Sequence, residues 1–228
     1  CDTNGGMLAE WVKDIISEVK KETTVDLGIH AHNDSGMAVA NSIMAVEEGC
    51  NHVQGTINGY GERCGNADLC IIIPNIKLKL GFNCISPQKL KYLSKVSRFV
   101  SEVSNMKPVD SQPYVGGSAF THKGGVHINA VMKAAETYEH ITPEAVGNKR
   151  ELLISELSGK TSLVIKAKEY GHELQKDKNV TKKLHKLLQN LEQKGYHFEA
   201  AEGSFELLLN KQLKKLKKFF TLESFRVI

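Results

Sequence analysis

Residues 25–57 read VDLGIHAHNDSGMAVANSIMAVEEGCNHVQGTI, and this stretch decides the fold. Residues 25–29 and 53–57 are short apolar runs typical of buried strands. Between them, residues 36–48 carry apolar side chains at helical spacing. A strand, a helix and a second strand in this order favour a parallel pair joined by a right-handed crossover. The stretch therefore predicts a βαβ unit and an α/β fold.

Helices are predicted on both sides of this unit. Residues 7–21 place apolar side chains at helical spacing ahead of the first strand, and residues 68–80 do so after the second. Three βα pairs, the first almost without its strand, are typical of a TIM barrel or of a doubly wound sheet. Three strands cannot close a barrel and the chain has no initiator Met, so we expect it to be part of a larger protein.

The composition of the 228 residues narrows the class of protein. With 41% hydrophobic and 25% charged residues it is typical of a globular protein, and no apolar run approaches the ~18 residues of a membrane span. The 30 basic residues are mixed with 26 acidic ones and aromatic residues make up only 7%, which does not favour nucleic-acid binding. Five cysteines without a C-x-x-C pair indicate a reducing, cytoplasmic compartment.

The pattern changes after residue 85. An amphipathic helix is predicted over residues 90–103, and residues 105–126 are rich in Gly, Pro and Ser, as in an inter-domain connector. Four parts are therefore expected: part of a barrel over residues 1–85, a connector with a first helical subdomain over 86–160, a second helical subdomain over 161–221, and the start of a further domain over 222–228.

Two histidines follow the first strand of the βαβ unit. His30 and His32 are two residues apart, and side chains at i and i+2 of a strand point to the same face. Neutral imidazoles are suitable ligands for a divalent cation, so the pair can converge on one metal ion. The alternative is that both rings only make hydrogen bonds at a polar end of the sheet.

A glycine-rich loop follows the second strand. Residues 58–66 read NGYGERCGN, in which three glycines allow sharp turns and a close approach to a ligand. Asn66 can offer a carbonyl oxygen to a metal or cap the next helix. Thr3, His30 and this loop all lie at predicted carboxyl ends of parallel strands, where α/β barrels place their active sites.

A third polar cluster lies beyond the barrel-like region. Residues 121–129 read THKGGVHIN, and Tyr138 follows them. His127 and Tyr138 can form an acid/base pair that a second domain brings to the mouth of the barrel. The alternative is that these are solvated loop residues.

The chain resembles one enzyme family through a series of linked motifs. In chain order these are CDTNGG from residue 1, GIHAHNDSGMAVANS from 28, QGTINGYGERCGNADL from 54, FTHKGGVHINAV from 120, TYEHI from 137 and VGNKRELLISELSGK from 146. The family is that of the acyl-CoA-condensing metalloenzymes, which includes 2-isopropylmalate, homocitrate and citramalate synthases, and the likeness is closest to the last. The resemblance implies the C-terminal portion of a TIM (β/α)8 barrel followed by mainly helical subdomains.

The resemblance also implies roles for individual residues. His30 and His32 match the family's two metal-binding histidines, and Asn66 matches the asparagine of its metal-associated loop, for Mg²⁺, Mn²⁺ or Zn²⁺. Thr3 matches the threonine that contacts the keto-acid carboxylate. His127 matches the histidine proposed as catalytic base.

The same resemblance implies roles for two further residues. Tyr138 matches the tyrosine that assists at the acyl-CoA end. Asn129 stands where several relatives have Asp, at a contact near the CoA thioester. The family's polarising arginine, third metal ligand and barrel glutamate have no counterpart in this chain, so the chain by itself is expected to be inactive.

The implied function is the condensation of acetyl-CoA, as co-substrate, with pyruvate to give citramalate and CoA in isoleucine biosynthesis. A homodimeric full-length enzyme in the cytoplasm, with small-molecule substrates and no nucleic-acid or membrane partner, belongs to the same expectation. The first alternative is a 2-isopropylmalate or homocitrate synthase. A second alternative is an enzyme like hydroxymethylglutaryl-CoA lyase, whose corresponding loop supplies a cysteine where Cys64 lies here. A third is a non-catalytic fragment.

Overall fold

The computed structural model describes residues 1–123, 125–153, 160–172, 174, 178–198, 201–217 and 219–226. The chain divides into two compact units. Unit 1 comprises Cys1–Phe120 and Ile141–Lys149, and unit 2 comprises Thr121–His140 and Arg150–Ile228.

Unit 1 begins with the predicted βαβ arrangement. Its first elements are helix α1 (Ala9–Glu22), strand β1 (Gly28–His30), helix α2 (Ala38–Glu47) and strand β2 (His52–Gln54). The two strands are parallel, with Gly28 opposite His52, which confirms the prediction. Each strand has only three residues, because the ladder begins later than the apolar run: Val25 lies ahead of it and is 68% exposed.

A third chain segment lies beside β1. Asp2 forms a parallel bridge with Ala31. The backbone N–H of Asp2 donates to the carbonyl of His30 (2.9 Å), and the carbonyl of Asp2 accepts from the backbone N–H of His32 (3.2 Å). Three parallel segments therefore lie in the order Asp2, β1, β2, as three successive βα pairs predict.

The two helices cover this small sheet through one apolar side each. Val12 and Ile16 of α1 are buried in the same cluster as Ile29 of β1. Ala38 and Ala45 of α2 complete the contact, and their small side chains allow α2 to pack closely on the strands. This packing fixes the end of β1 from which the two histidines project.

The helix predicted over residues 68–80 is present in two parts. An α-helix, α3 (Leu69–Pro74), continues into a π-helical turn, Asn75–Lys79. Asp68 caps α3, since its carboxylate accepts a hydrogen bond from the backbone N–H of Cys70 (2.8 Å). The glycine-rich loop therefore ends on a firmly capped helix.

Two helices stand where one was predicted over residues 90–103, namely α4 (Pro87–Leu90) and α5 (Leu93–Val103). Phe99 and Val103 of α5 are 60% and 67% exposed. The buried side of α5 carries three serines, Ser94, Ser97 and Ser101. Leu90 and Leu93 of the predicted apolar side are buried, so this side packs at its start and is exposed farther along α5.

The first part of the predicted connector packs into unit 1. Tyr114, Val115 and Phe120 are buried in one apolar cluster with Val146. The four-part domain division stays a prediction, because packing units and the domains of a longer protein need not share boundaries. Its boundary at residue 160 adjoins residues 154–159, which lie outside the described residues.

Unit 2 combines a two-stranded sheet with helices. In chain order its elements are β3 (Thr121–Lys123), α6 (Gly125–Lys133), β4 (Glu151–Leu153), α7 (Lys160–Glu169), α8 (Lys178–Glu192) and α9 (Glu202–Gln212). β3 and β4 are parallel. The last three helices share an apolar core that includes Leu163, Leu184, Phe205 and Leu209. Over the described ranges of both units, no helix is long and apolar enough to cross a bilayer.

Candidate active site

The residues predicted to bind a metal lie together at the carboxyl end of the small sheet in unit 1. His30 ends β1, and His32 forms an antiparallel bridge with Asn66. The backbone N–H of Ala67 donates to the carbonyl of Ala31 (3.0 Å), which holds the end of the glycine-rich loop against β1. His30, His32 and Asn66 therefore lie at one end of the small sheet, and their role as metal ligands stays a prediction.

The two imidazole rings are neighbours. Their centroids are 4.9 Å apart and their planes make an angle of 80°. The Nδ1 atom of His32 lies 3.2 Å from the carbonyl oxygen of Asp2. When Nδ1 carries the proton, it donates to that carbonyl and leaves Nε2 as the free lone pair, the arrangement by which metal-binding histidines are oriented.

Two buried polar atoms at this edge make no hydrogen bond to the described residues. They are Nδ1 of His30 and the side-chain oxygen Oδ1 of Asn66. A buried polar atom without a partner is costly, and a divalent cation would supply what both atoms lack. The donor set of two imidazoles and an amide oxygen thus fits a divalent metal.

The same set is incomplete as a metal site. Among the described residues, no group of three or more His, Cys, Asp or Glu side chains could hold a metal ion. His30 and His32 have no carboxylate or thiolate that joins them within the part of the chain that the structure describes. The geometry therefore provides part of a coordination shell.

Glycines in the loop are required for the position of Asn66. A Cβ atom at Gly61 would collide with the side-chain nitrogen of Asn66, and one at Gly65 would collide with the carbonyl of Gly59. Gly65 also has a φ of +88°, which side chains disfavour. The amide of Asn66 donates to the carbonyl of Tyr60 (3.1 Å), and this bond directs its oxygen away from the loop.

An ion pair joins the loops around this site. The guanidinium of Arg63 donates from Nε and Nη2 to the carboxylate of Asp34 (2.7 and 3.0 Å) and from Nη2 to the carbonyl of Thr3 (3.0 Å). The hydrogen bond from Arg63 holds the pKa of Asp34 below its usual value. Thr3, predicted to bind the keto-acid carboxylate, is exposed and is connected to the other two loops through this contact.

The predicted acid/base residues meet in unit 2. The ring centroids of His127 and Tyr138 are 4.8 Å apart, with a tilt of 35° between the planes. Both side chains are exposed, that of Tyr138 by 47%. Asn129 lies two residues after His127 on α6 and therefore about 200° around the helix axis, so it does not share the face of His127.

A buried cluster next to this pair was not given a role from the sequence. Nε2 of His122 lies 2.9 Å from Oε1 of Glu139, and Nε of Arg150 donates to the same oxygen (2.6 Å). Nη2 of Arg150 donates to the other carboxylate oxygen. Arg150, and to a lesser extent His122, lowers the pKa of Glu139. The signal in the sequence was weak, because Glu139 and Arg150 are polar residues in segments without a helical or strand period.

Two family models match the chain. HMGL-like matches residues 1–100, and Homocitrate synthase post-HMGL domain-like matches residues 114–195. Over residues 1–100, the chain belongs to the HMGL-like family. The predicted fold class is thereby confirmed, and the parallel segments of unit 1 are part of the TIM barrel of this HMGL-like protein.

Curated relatives match the HMGL-like chain over its whole length. The (R)-citramalate synthases of Aquifex aeolicus and Geobacter sulfurreducens are 52% and 51% identical to it, and each match covers 100% of this chain and 43% of the relative. A 2-isopropylmalate synthase of Methanocaldococcus jannaschii is 41% identical, over 78% of this chain and 34% of the relative. The chain thus spans less than half the length of these relatives, and its closeness to citramalate synthases is confirmed.

Proposed function

We propose that the protein to which this chain belongs condenses acetyl-CoA with pyruvate to give citramalate and CoA. The observation that carries the proposal is the match to (R)-citramalate synthases over every residue of the chain. A 2-isopropylmalate synthase is the second candidate, because one such enzyme matches most of the chain at a lower identity. The two candidates differ in the size of the keto acid that they accept.

We assign His30, His32 and the side-chain oxygen of Asn66 as the metal ligands that this chain contributes. A bound divalent cation, Mg²⁺, Mn²⁺ or Zn²⁺, would act as a Lewis acid that polarises the ketone of the keto acid. The unpartnered polar atoms Nδ1 of His30 and Oδ1 of Asn66 support this assignment. A residue outside this chain is expected to supply one further ligand.

The chain also contributes groups that act on the substrates. Thr3 lies at the same strand edge as the histidines and is assigned to the keto-acid carboxylate. His127 is assigned as the base that takes a proton from the methyl group of acetyl-CoA, with Tyr138 against its ring as the partner that gives or holds the proton. Asn129 is assigned a contact near the thioester, although it lies on another face of α6 than His127.

The proposed protein is cytoplasmic and homodimeric, and it serves isoleucine biosynthesis. The five cysteines are all free thiols, which supports a reducing compartment. In the proposed homodimer, one subunit would complete the site of the other, as the family resemblance implies.

The proposal is tested with the full-length enzyme, acetyl-CoA, Mn²⁺ or Mg²⁺ and a panel of keto acids. Release of the CoA thiol is followed for pyruvate, 2-ketoisovalerate and 2-oxoglutarate. The expected result is a clear preference for pyruvate in kcat/KM. A preference for 2-ketoisovalerate would instead support the 2-isopropylmalate synthase, and turnover of none of the three would contradict both candidates.

A further inference from the structure

We propose that Glu139 is a positioning residue that fixes Tyr138 against His127, and that His122 and Arg150 hold Glu139 in place. The proposal rests on the acid/base role assigned above to His127 and Tyr138. It gives a function to three side chains to which the sequence attached none.

The first observation is the contrast between two adjacent residues. Glu139 is 5% exposed, whereas Tyr138 is 47% exposed. A half-exposed ring is held weakly by its own packing, so its position depends on the backbone that carries it. The backbone at residue 139 is fixed because the carboxylate beside it is buried.

The buried carboxylate has a single suitable position. Both of its oxygens accept hydrogen bonds from Arg150, and Oε1 also lies 2.9 Å from Nε2 of His122. A buried charge is tolerated only with such partners, so Glu139 cannot shift without losing them. The partners are themselves fixed, since His122 lies in β3 opposite Leu152 of β4 and Arg150 immediately precedes β4.

The chain on the other side of Tyr138 is held as well. Residues Ala135–Thr137 form a 3-10 turn, and the carbonyl of Ala135 accepts hydrogen bonds from the backbone N–H groups of Tyr138 (3.0 Å) and Glu139 (2.9 Å). The turn and the carboxylate anchor together place the Tyr138 ring close to two histidine rings. Its centroid is 4.8 Å from that of His127 and 6.2 Å from that of His122.

The test uses the full-length enzyme and the variant Glu139→Gln, which keeps the shape of the side chain and removes its charge. Glu136→Gln is the matched control, because Glu136 is exposed on the same turn. We expect E139Q to lower kcat about 10-fold to 100-fold, since a small misplacement of a reacting group costs about that much. The KM for pyruvate and the affinity for Mn²⁺ should stay unchanged, and E136Q should behave as the wild type.

A double-mutant cycle with Tyr138→Phe separates positioning from a general structural effect. If Glu139 acts through the Tyr138 hydroxyl, E139Q lowers kcat no further in the Y138F background. If the fold-decreases in kcat of E139Q and Y138F instead multiply in the double variant, the two residues act independently and the proposal is wrong. Should E139Q fail to fold, Arg150→Lys replaces it in every arm, because Lys keeps the charge and loses the two-pronged contact.

A measurement that does not depend on turnover tests the positioning role of Glu139 independently of the proposed function. In enzyme labelled with ¹³C at histidine Cε1, the ring current of Tyr138 shifts the resonance of His127, and Tyr138→Ala gives the unshifted reference. E139Q, but not E136Q, should move the His127 resonance toward that reference. An unmoved resonance in folded E139Q would refute the positioning role, whereas a moved resonance in an enzyme that does not turn over pyruvate would refute only the function.

Discussion

Arg63 contacts two other loops at the carboxyl ends of the strands in unit 1. Its guanidinium joins the loop after β2 to Asp34 after β1 and to the backbone of Thr3. Arg63 itself has a φ of +53°, a conformation that a residue with a side chain adopts only when other contacts hold it. The contact therefore ties Thr3 to the loop that carries Asn66.

Replacing Arg63 with Met should weaken the binding of pyruvate and leave the chemical step intact. Without the guanidinium, Thr3 is no longer held by the other two loops, so we expect KM for pyruvate to rise about 3-fold to 10-fold with little change in kcat. Steady-state kinetics of the full-length enzyme measures this. Arg98→Met is the matched control, because Arg98 is exposed on α5, and equal KM values for R63M and R98M would contradict the expectation.

At the scale of elements, a network of hydrogen bonds joins the glycine-rich loop to α5. Nδ2 of Asn58 donates to the carbonyl of Ser97 (3.0 Å) and to Oγ of Ser101 (3.1 Å), and Oγ of Ser97 donates to Oδ1 of Asn58 (2.6 Å). Gln112 bridges the same Oδ1 to the carboxylate of Asp68, whose pKa is raised by burial. The network positions both ends of the loop that presents Asn66.

Replacing Asn58 with Ala should destabilise unit 1 substantially. The change leaves buried partners unsatisfied, at about 1–3 kcal/mol, and places Ala at a φ of +64°, at about 1–2 kcal/mol. Denaturant unfolding followed by circular dichroism measures the loss. Asn105→Ala is the control, since Asn105 is exposed with a φ of +53° and bears only the backbone cost. A loss for N58A no greater than that for N105A would show that the network contributes nothing.

The same element shows why its buried side could not be predicted. The period of apolar residues over 90–103 correctly indicated a helix, but α5 buries serines and exposes Phe99. Ser97 and Ser101 are buried against Asn58, which lies 39 residues from Ser97, and Ser94 donates to the carbonyl of Val146. Hydrophobic periodicity depends on neighbouring residues only, so it cannot predict a hydrogen bond to a polar residue that is distant in sequence.

For the whole molecule, strand topology made the histidine site of unit 1 predictable but not the Glu139 cluster of unit 2. His30, His32 and Asn66 could be placed together because parallel strands end at one edge of a sheet, and each residue follows a strand with a readable pattern. Glu139 and Arg150 could not, because Glu139 follows a 3-10 turn and Arg150 precedes a strand of three residues, and neither element gives a pattern of its own. The acid/base chemistry of His127 and Tyr138 suggested that they form a pair. No hydrophobic pattern in the sequence predicted the turn that brings them together.

The claim on which the proposed function depends most is that the strand-edge histidines bind the metal. The most direct measurement is titration of the full-length enzyme with Mn²⁺, followed by electron paramagnetic resonance of the free ion. Replacing His30 or His32 with Gln should weaken Mn²⁺ binding by more than about 100-fold, because the loss of an outer-shell partner alone costs about 10-fold to 100-fold. His52→Gln is the matched control, because His52 is exposed on the neighbouring strand β2, and it should bind as the wild type does. Equal Mn²⁺ affinity in H30Q, H32Q and H52Q would contradict the metal site.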